Sequence, residues 1–279
     1  MQEPSSLGRI VELVRDLRAR CPWDAAQTPQ TLRPYLVEEV HELDHALGLN
    51  DADAVRVELG DLLLHLAFQI VLAEERGLFG SEDLTRQVEE KMWRRHPHLF
   101  PTAPPQRGSA AEAAAGSTAN RQPLTADQVK ANWERLKLRE RDAEDRPSVL
   151  DGLPPTMPAL VTAFRLQERA AGVGFDWPDW HGPLDKVREE TAELAHELEI
   201  GADPERVEHE LGDLLFAAVN LGRKAGVDPR AALESANRRF TARFRAVEHL
   251  ARERGVDVHT AGLGKLDELW DEVKRRTQG

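Results

Sequence analysis

The stretch Val57-Glu58-Leu59-Gly60-Asp61-Leu62-Leu63-Leu64 returns later in the chain within Glu208-His209-Glu210-Leu211-Gly212-Asp213-Leu214-Leu215-Phe216. A second acidic phrase precedes each copy: Glu38-Glu39-Val40-His41-Glu42, then Glu189-Glu190-Thr191-Ala192-Glu193. Glu39 to Glu190 is a step of 151 residues, and Asp61 to Asp213 a step of 152. A repeated supersecondary unit preserves the apolar positions that pack it. This one also preserves four carboxylates, which packing alone does not require. Apolar residues around both phrases follow the i, i+3, i+4, i+7 period of a helix. Leu59, Leu62, Leu63, Leu66 and Ile70 form one stripe, and Leu211, Leu214, Leu215, Ala218 and Leu221 its counterpart. Runs that alternate with period two are scarce. The expectation is an all-α chain of two tandem helical bundles.

The same periodicity places helices at 4–19, 29–48, 52–76, 81–95, 126–142, 155–171, 182–199, 204–225, 229–253 and 265–276. Gly77, Gly201 and Gly226 mark helix ends, and Asp228-Pro229 combines a cap with a proline at the first helical position. The first copy therefore spans 1–100 and the second 155–279. Between them, 101–123 is rich in Pro, Ala, Gly and Ser and reads as a flexible linker. Residues 124–154 read as a connecting helix and a turn, Asp151-Gly152-Leu153-Pro154-Pro155.

Composition excludes several classes. With 37 Lys and Arg against 49 Asp and Glu, the formal net charge is −12, which gives non-specific nucleic-acid binding no electrostatic support. Cys21 is the single cysteine, so no intramolecular disulfide can form, and a reducing cytoplasm is expected. The N-terminal residues Glu3, Arg9, Glu12 and Arg15 interrupt any apolar signal segment. Leu59 to Ala73 is broken by Asp61, His65 and Gln69, which reads as a buried helix and not as a membrane span.

Residues three or four apart share a helix face. Glu39 pairs in this way with Glu42 and Glu58 with Asp61; in the second copy Glu190 pairs with Glu193 and Glu210 with Asp213. Short turns join the two helices of each copy, so antiparallel packing gathers four carboxylates. At ~4 Å each like-charge pair costs on the order of 4 kcal/mol at an effective dielectric of 20. Several such pairs rival the ~5–15 kcal/mol stability of a whole domain, so a cation is expected between them. All-oxygen ligation favours Mg2+, with Mn2+ as a substitute, over zinc. Solvated helix faces are the plain alternative, and the repetition of the pattern argues against it.

The copies differ in their cations. Lys186 lies one turn before Glu190 where Tyr35 precedes Glu39, and Arg206 one turn before Glu210 where Ala54 precedes Glu58. The following helix adds Arg239 and Arg243, and the last one adds Lys274 beside Trp270. Cations beside a metal–carboxylate cluster suit a metal-bound polyphosphate. Lys91 and Arg95 keep that spacing in copy one, so its cationic side is depleted and not absent. For Lys186 and Arg206 an ordinary helix salt bridge is the competing account. A di-iron reading also has a foothold, since His45 follows Glu42 and His196 follows Glu193 at i+3. Neither histidine has a partner motif on the neighbouring helix, and both are expected at the surface. Phe175, Trp177, Trp180 and Trp270 can stack a base or cap a bundle core with equal ease.

These residues resemble the MazG family of nucleoside triphosphate pyrophosphohydrolases. The resemblance is carried by Cys21-Pro22-Trp23-Asp24, Glu38-Glu39-x-x-Glu42, Glu58-Leu59-Gly60-Asp61 and Arg94-Arg95-His96-Pro97-His98 in the first half. In the second half it is carried by Asn132-Trp133-Glu134, Leu150-Asp151-Gly152-Leu153-Pro154, Val173-Gly174-Phe175-Asp176-Trp177 and Glu210-Leu211-Gly212-Asp213. It implies tandem all-α domains, a homodimer, and Mg2+-dependent hydrolysis of NTPs and dNTPs to monophosphate and pyrophosphate, with the C-terminal copy active. It further implies Glu190, Glu193, Glu210 and Asp213 as metal ligands, with Glu39, Glu42, Glu58 and Asp61 as a second, N-terminal set. The nucleotide contacts it implies are Lys186, Val187, Arg188, Glu189, Glu190, Arg206, Val207, Glu208, His209, Asp213, Arg239, Arg243 and Trp270, to which the charge pattern adds Lys274. Glu189 or Glu190 is the expected general base. The rival class is a non-catalytic nucleotide-binding or partner-binding regulator, for which copy one is a plausible pattern.

Overall fold

The computed structural model describes residues 6–96, 99–100 and 148–277. The linker expected at 101–123 and the helix expected at 126–142 lie outside them. Ten helices are present among the described residues. In the first unit these are α1 (Ser6–Arg20), α2 (Pro22–Ala25), α3 (Pro29–Leu49), α4 (Ala52–Glu75) and α5 (Ser81–Arg95). In the second they are α6 (Ala159–Gly172), α7 (His181–Glu199), α8 (Pro204–Lys224), α9 (Pro229–Glu253) and α10 (Gly262–Thr277). No strand occurs among the described residues. None of the described helices is long and apolar enough to cross a membrane. Backbone contacts divide the chain into two compact units, Met1–Trp133 and Glu134–Gly279.

In the first unit α3 and α4 form a tight hairpin, and α1 packs across α4. The turn is set by local chemistry. Asn50 closes α3 in the left-handed conformation (φ 56°), and the Asp51 side chain accepts from the amides of Asp53 and Ala54 to start α4. In the second unit α7 and α8 repeat the hairpin, with Gly201 at φ 66° in the turn and Asp203 capping α8. There α6 packs on α8, and α9 packs on α10.

The first unit closes on Val14, Leu32, Ala67, Phe68, Val71 and Leu72, with Ile10, Val11 and Leu64 packed against them. In the second unit a buried cluster of Val247, Leu250, Ala251, Leu269 and Val273 joins α9 to α10.

Three expectations need correction. The helix placed at 155–171 begins at Ala159. The ring of Pro158 disfavours helical geometry at Met157, and Pro155 disfavours it at Pro154, so the chain cannot coil until Pro158 is passed. The last helix begins at Gly262, a turn earlier than expected. The stripe read as a buried face is half outward: Leu59, Leu66, Leu211 and Leu215 are exposed, while Ala67, Phe68, Val71 and Leu72 fill the core. α4 is apolar on more than one side, and not all of that surface is covered by α1 and α3.

Candidate active site

The α7–α8 hairpin carries the second set of carboxylates. Glu189, Glu190 and Glu193 bring ligand oxygens within 4.8 Å of one another on α7, and His209, Glu210 and Asp213 form a matching group on α8. Glu190 is 4 % exposed, whereas Glu189, Glu193 and Asp213 reach solvent. Lys186 Nζ lies 2.6 Å from Glu190 Oε1 and donates to Glu189 at 2.8 Å. Those bonds, the one to Glu189 first, raise the lysine above its ordinary range. The Glu193 carboxyl is raised by burial first, then by the charges of Glu190 and Glu210. One ammonium therefore does not neutralise the group, and its carboxylate oxygens suit a hard divalent cation.

The first unit assembles its set across the helices: Glu39 from α3 with Glu58 and Asp61 from α4. Glu58 is raised by burial and by Glu42, Asp61 and Glu39 in turn. Where the second unit has Lys186, Tyr35 stacks on His65 with centroids 6.4 Å apart, and His65 Nε2 sits 3.7 Å from Glu39. No lysine or arginine is paired to a carboxylate of this set among the described residues. His45 and His196 are exposed and belong to neither cluster, which leaves the di-iron reading without ligands.

The remaining expected contacts are scattered. Arg206 donates to the buried Glu197 at 2.5 Å instead of turning toward Glu210. His209 lies 3.4 Å from Asp213 and 3.6 Å from Glu210. Arg188 pairs with Asp185 at 2.8 Å, both exposed; Val187 and Val207 are half-buried, and Glu208 is exposed. Arg239 donates to Ser235 Oγ at 2.7 Å, and Arg243 follows one turn later on α9. Trp270 is half-buried, packs against the α9–α10 core and meets Phe240 with ring centroids 5.4 Å apart; Lys274 lies one turn beyond, exposed.

Next to the carboxylates is a cavity of about 340 Å3 whose walls include Glu190, Asp213 and Lys186. Its other walls are mostly apolar (Leu166, Ala170, Phe175, Trp177, Phe216 and Ala217 among them), with the Asp176–Arg223 pair and the buried Gln167 and Asn220 as polar members. The Phe175–Trp177 segment is tied down from α8. Arg223 and Lys224 donate to the Asp176 carboxylate, and Lys224 also holds the Trp177 carbonyl at 2.6 Å. Burial acts to raise Asp176, but these bonds outweigh it and hold the carboxyl below its usual range. Gly182 is needed here, because a Cβ at that position would overlap the Trp177 ring. Gln167, Asn220 and the Asp176–Arg223 tie were absent from the sequence reading. Their signal was a polar residue on an otherwise apolar helix face.

A family model described as the MazG nucleotide pyrophosphohydrolase domain matches this chain twice, over 27–100 and 183–248. Those stretches hold the two carboxylate hairpins. The chain is 38 % identical to the nucleoside triphosphate pyrophosphohydrolase of Escherichia coli (strain K12), over 99 % of this chain and 98 % of that protein. It is also 38 % identical to the nucleoside triphosphate pyrophosphohydrolase/pyrophosphatase MazG of Thermotoga maritima, over 95 % and 94 % respectively. A shorter match, 32 % identical over 62 % of this chain, is to the nucleoside triphosphate pyrophosphohydrolase of Mycobacterium tuberculosis.

Proposed function

This chain belongs to the MazG nucleotide pyrophosphohydrolase family, and from that premise we propose that it hydrolyses NTPs and dNTPs with its second unit. Water adds to the triphosphate, the link between the α and β phosphoryl groups breaks, and nucleoside monophosphate and pyrophosphate leave. The observation that carries this reading is the buried Glu190, paired to Lys186 in a carboxylate group that opens on a cavity.

Glu190, Glu193, Glu210 and Asp213 would hold the divalent ion, for which we favour Mg2+, with Mn2+ as a substitute. When bound it supplies charge neutralisation at the phosphate oxygens. Lys186 has two roles open to it: it balances Glu190 in the free enzyme and can turn to a phosphate once the ion takes over that balance. Glu189, exposed, and Glu190 are the groups able to accept the proton of the attacking water. Arg239, Arg243 and Lys274 add positive charge on α9 and α10 for the outer phosphates. We assign no turnover to the first unit, where Tyr35 and His65 stand in place of a cation. The protein is read as cytoplasmic.

The test is pyrophosphate release with ATP and dGTP in Mg2+. Asp213→Asn is expected to lower kcat by the ~10²–10³-fold typical of losing a group that stabilises developing charge. Asp61→Asn keeps most activity, and Arg243→Ala raises KM. Equal losses at Asp213 and Asp61 would refute the assignment to the second unit.

We also propose a homodimer. Val40 and Leu47 on α3, Leu59 and Leu66 on α4, and Leu211 and Leu215 on α8 leave apolar stripes exposed on a single chain. Helix faces that leave several leucines and valines in solvent are candidates for association. Sedimentation equilibrium should give twice the chain mass, and a monomer at micromolar concentration would sink the idea.

A further inference from the structure

The two units share one frame, and at the common offset the core of one is the cavity of the other. Val14, Leu32, Phe68 and Val71 are buried together in the first unit. Their counterparts, at steps of 151 to 152 residues, are Leu166, Pro183, Asn220 and Arg223. All four of these line the cavity of the second unit. Phe68 fills the space with a ring, whereas Asn220 leaves it open.

The polar groups on the cavity wall have defined orientations. Gln167 is 6 % exposed, and its Nε2 donates to the Phe216 carbonyl at 2.8 Å. A carbonyl can only accept, so the amide orientation is fixed and Oε1 is the free end. That oxygen is buried and has no hydrogen-bond partner. Asn220, one turn beyond Phe216 and 7 % exposed, has Oδ1 engaged by Arg223 at 2.8 and 3.0 Å, so its Nδ2 is the end left as a donor. Native proteins seldom leave a buried acceptor unsatisfied, so this oxygen calls for a donor that the folded chain does not supply.

We propose that this cavity is the nucleobase pocket, and that Gln167 Oε1 accepts a hydrogen bond from the base edge while Asn220 Nδ2 donates to it. The inference rests on the carboxylate group being the triphosphate site. The aromatic rings supply the stacking faces. Trp177 is fixed by Gly182 and Lys224, and Phe175 at the mouth is 80 % exposed, a ring awaiting cover. The volume lies at the lower end of the ~300–1,000 Å3 usual for small-molecule sites, which suits a base with part of its sugar. Because Glu190, Asp213 and Lys186 are shared walls, a base held here places its phosphates on the carboxylate group without a long span.

Isothermal titration of the full chain with Mg2+ tests this with two probes, a non-hydrolysable ATP analogue and inorganic tripolyphosphate. Gln167→Met should weaken the analogue by roughly two- to tenfold, the worth of one hydrogen bond. Asn220→Phe, which installs the ring that the first unit carries, should weaken it by more. Tripolyphosphate should bind both variants within about twofold of wild type. Unchanged analogue affinity in both variants would overturn the pocket, as would an equal loss for both probes, which marks the two residues as scaffold. If wild-type protein binds both probes with equal strength, the base contributes nothing and the pocket falls while the phosphate site stands. Wild-type protein that binds neither would overturn the site itself, and the pocket with it.

Discussion

Asp176 offers a direct measure of how the wall of the cavity is held. Replacing it with Asn removes the charge that Arg223 and Lys224 share but keeps the size of the side chain. Exposed ion pairs are worth ~0–1 kcal/mol, whereas stranding one partner of a buried pair costs ~3–5 kcal/mol. The Arg223 and Asp176 side chains are 12 % and 22 % exposed, between those limits and closer to the buried one. Asn retains one acceptor for either cation, so a loss of about 2 kcal/mol at neutral pH is expected, in line with hydrogen bonds to charged groups. For a unit of this size that is a fall in Tm of roughly 6–10 °C. The sign with pH follows from the depressed carboxyl. Stability from such a group is fully present above its unfolded value, about 3.9, and is lost as pH falls through the lower folded value. The difference in urea midpoint between wild type and Asp176→Asn should stay level from pH 7 to about pH 5 and close progressively below pH 4. KM for ATP should rise with the same substitution, because the released segment carries Phe175 and Trp177. A difference below 1 kcal/mol at pH 7, or one that persists undiminished at the lowest pH where both proteins fold, would refute the reasoning.

The metal reading predicts that Mg2+, more so with a non-hydrolysable nucleotide, raises the melting temperature, since a ligand of the native state alone adds ~2.7 kcal/mol at a hundred times its Kd. Glu193→Gln with Glu210→Gln should raise the melting temperature of the metal-free protein, because the charges that lift Glu193 are relieved. The same pair of changes should remove most of the Mg2+ response; an undiminished response would mean that these carboxylates are a solvated face.

The hairpins were legible because their carboxylates and leucines fall on the helical period, and because Asn50-Asp51 and Gly201-Ala202-Asp203 supply turn and cap chemistry within a few residues. Which face of α4 is buried was not legible. Periodicity gives the angle between Leu59 and Phe68, but not which direction holds α1. Arg206 misled for a related reason: its nearest acidic neighbour at helical spacing is Glu210, whereas its partner Glu197 is reached only after the chain has turned. The start of α6 could have been read correctly, since Pro158 forbids helix at the residue before it. Gln167 and Asn220 look like noise in a single copy. They acquire meaning only when Phe68 is seen at the place of Asn220, so the repeat that revealed the carboxylates also held the signal for the cavity.

That exchange has an energetic consequence. Removing a large ring from a packed core costs ~3–5 kcal/mol when the site cannot collapse. The second unit keeps its space open with an asparagine, a buried glutamine acceptor without a partner, and rings that stand in solvent. The first unit has the same hairpin and shows that the closed alternative is available to this frame, with Phe68 inside and Arg15 and Arg18 clamped to Glu74 and Glu75 outside. Packing therefore does not require the opening in the second unit, and a stability penalty alone would select against it. The opening adjoins the carboxylate group whose Glu190 is paired to Lys186. The coincidence of space, orphaned acceptor and paired lysine in one copy, and of ring, tyrosine and histidine in the other, is what a division between a substrate-binding unit and a scaffold unit requires.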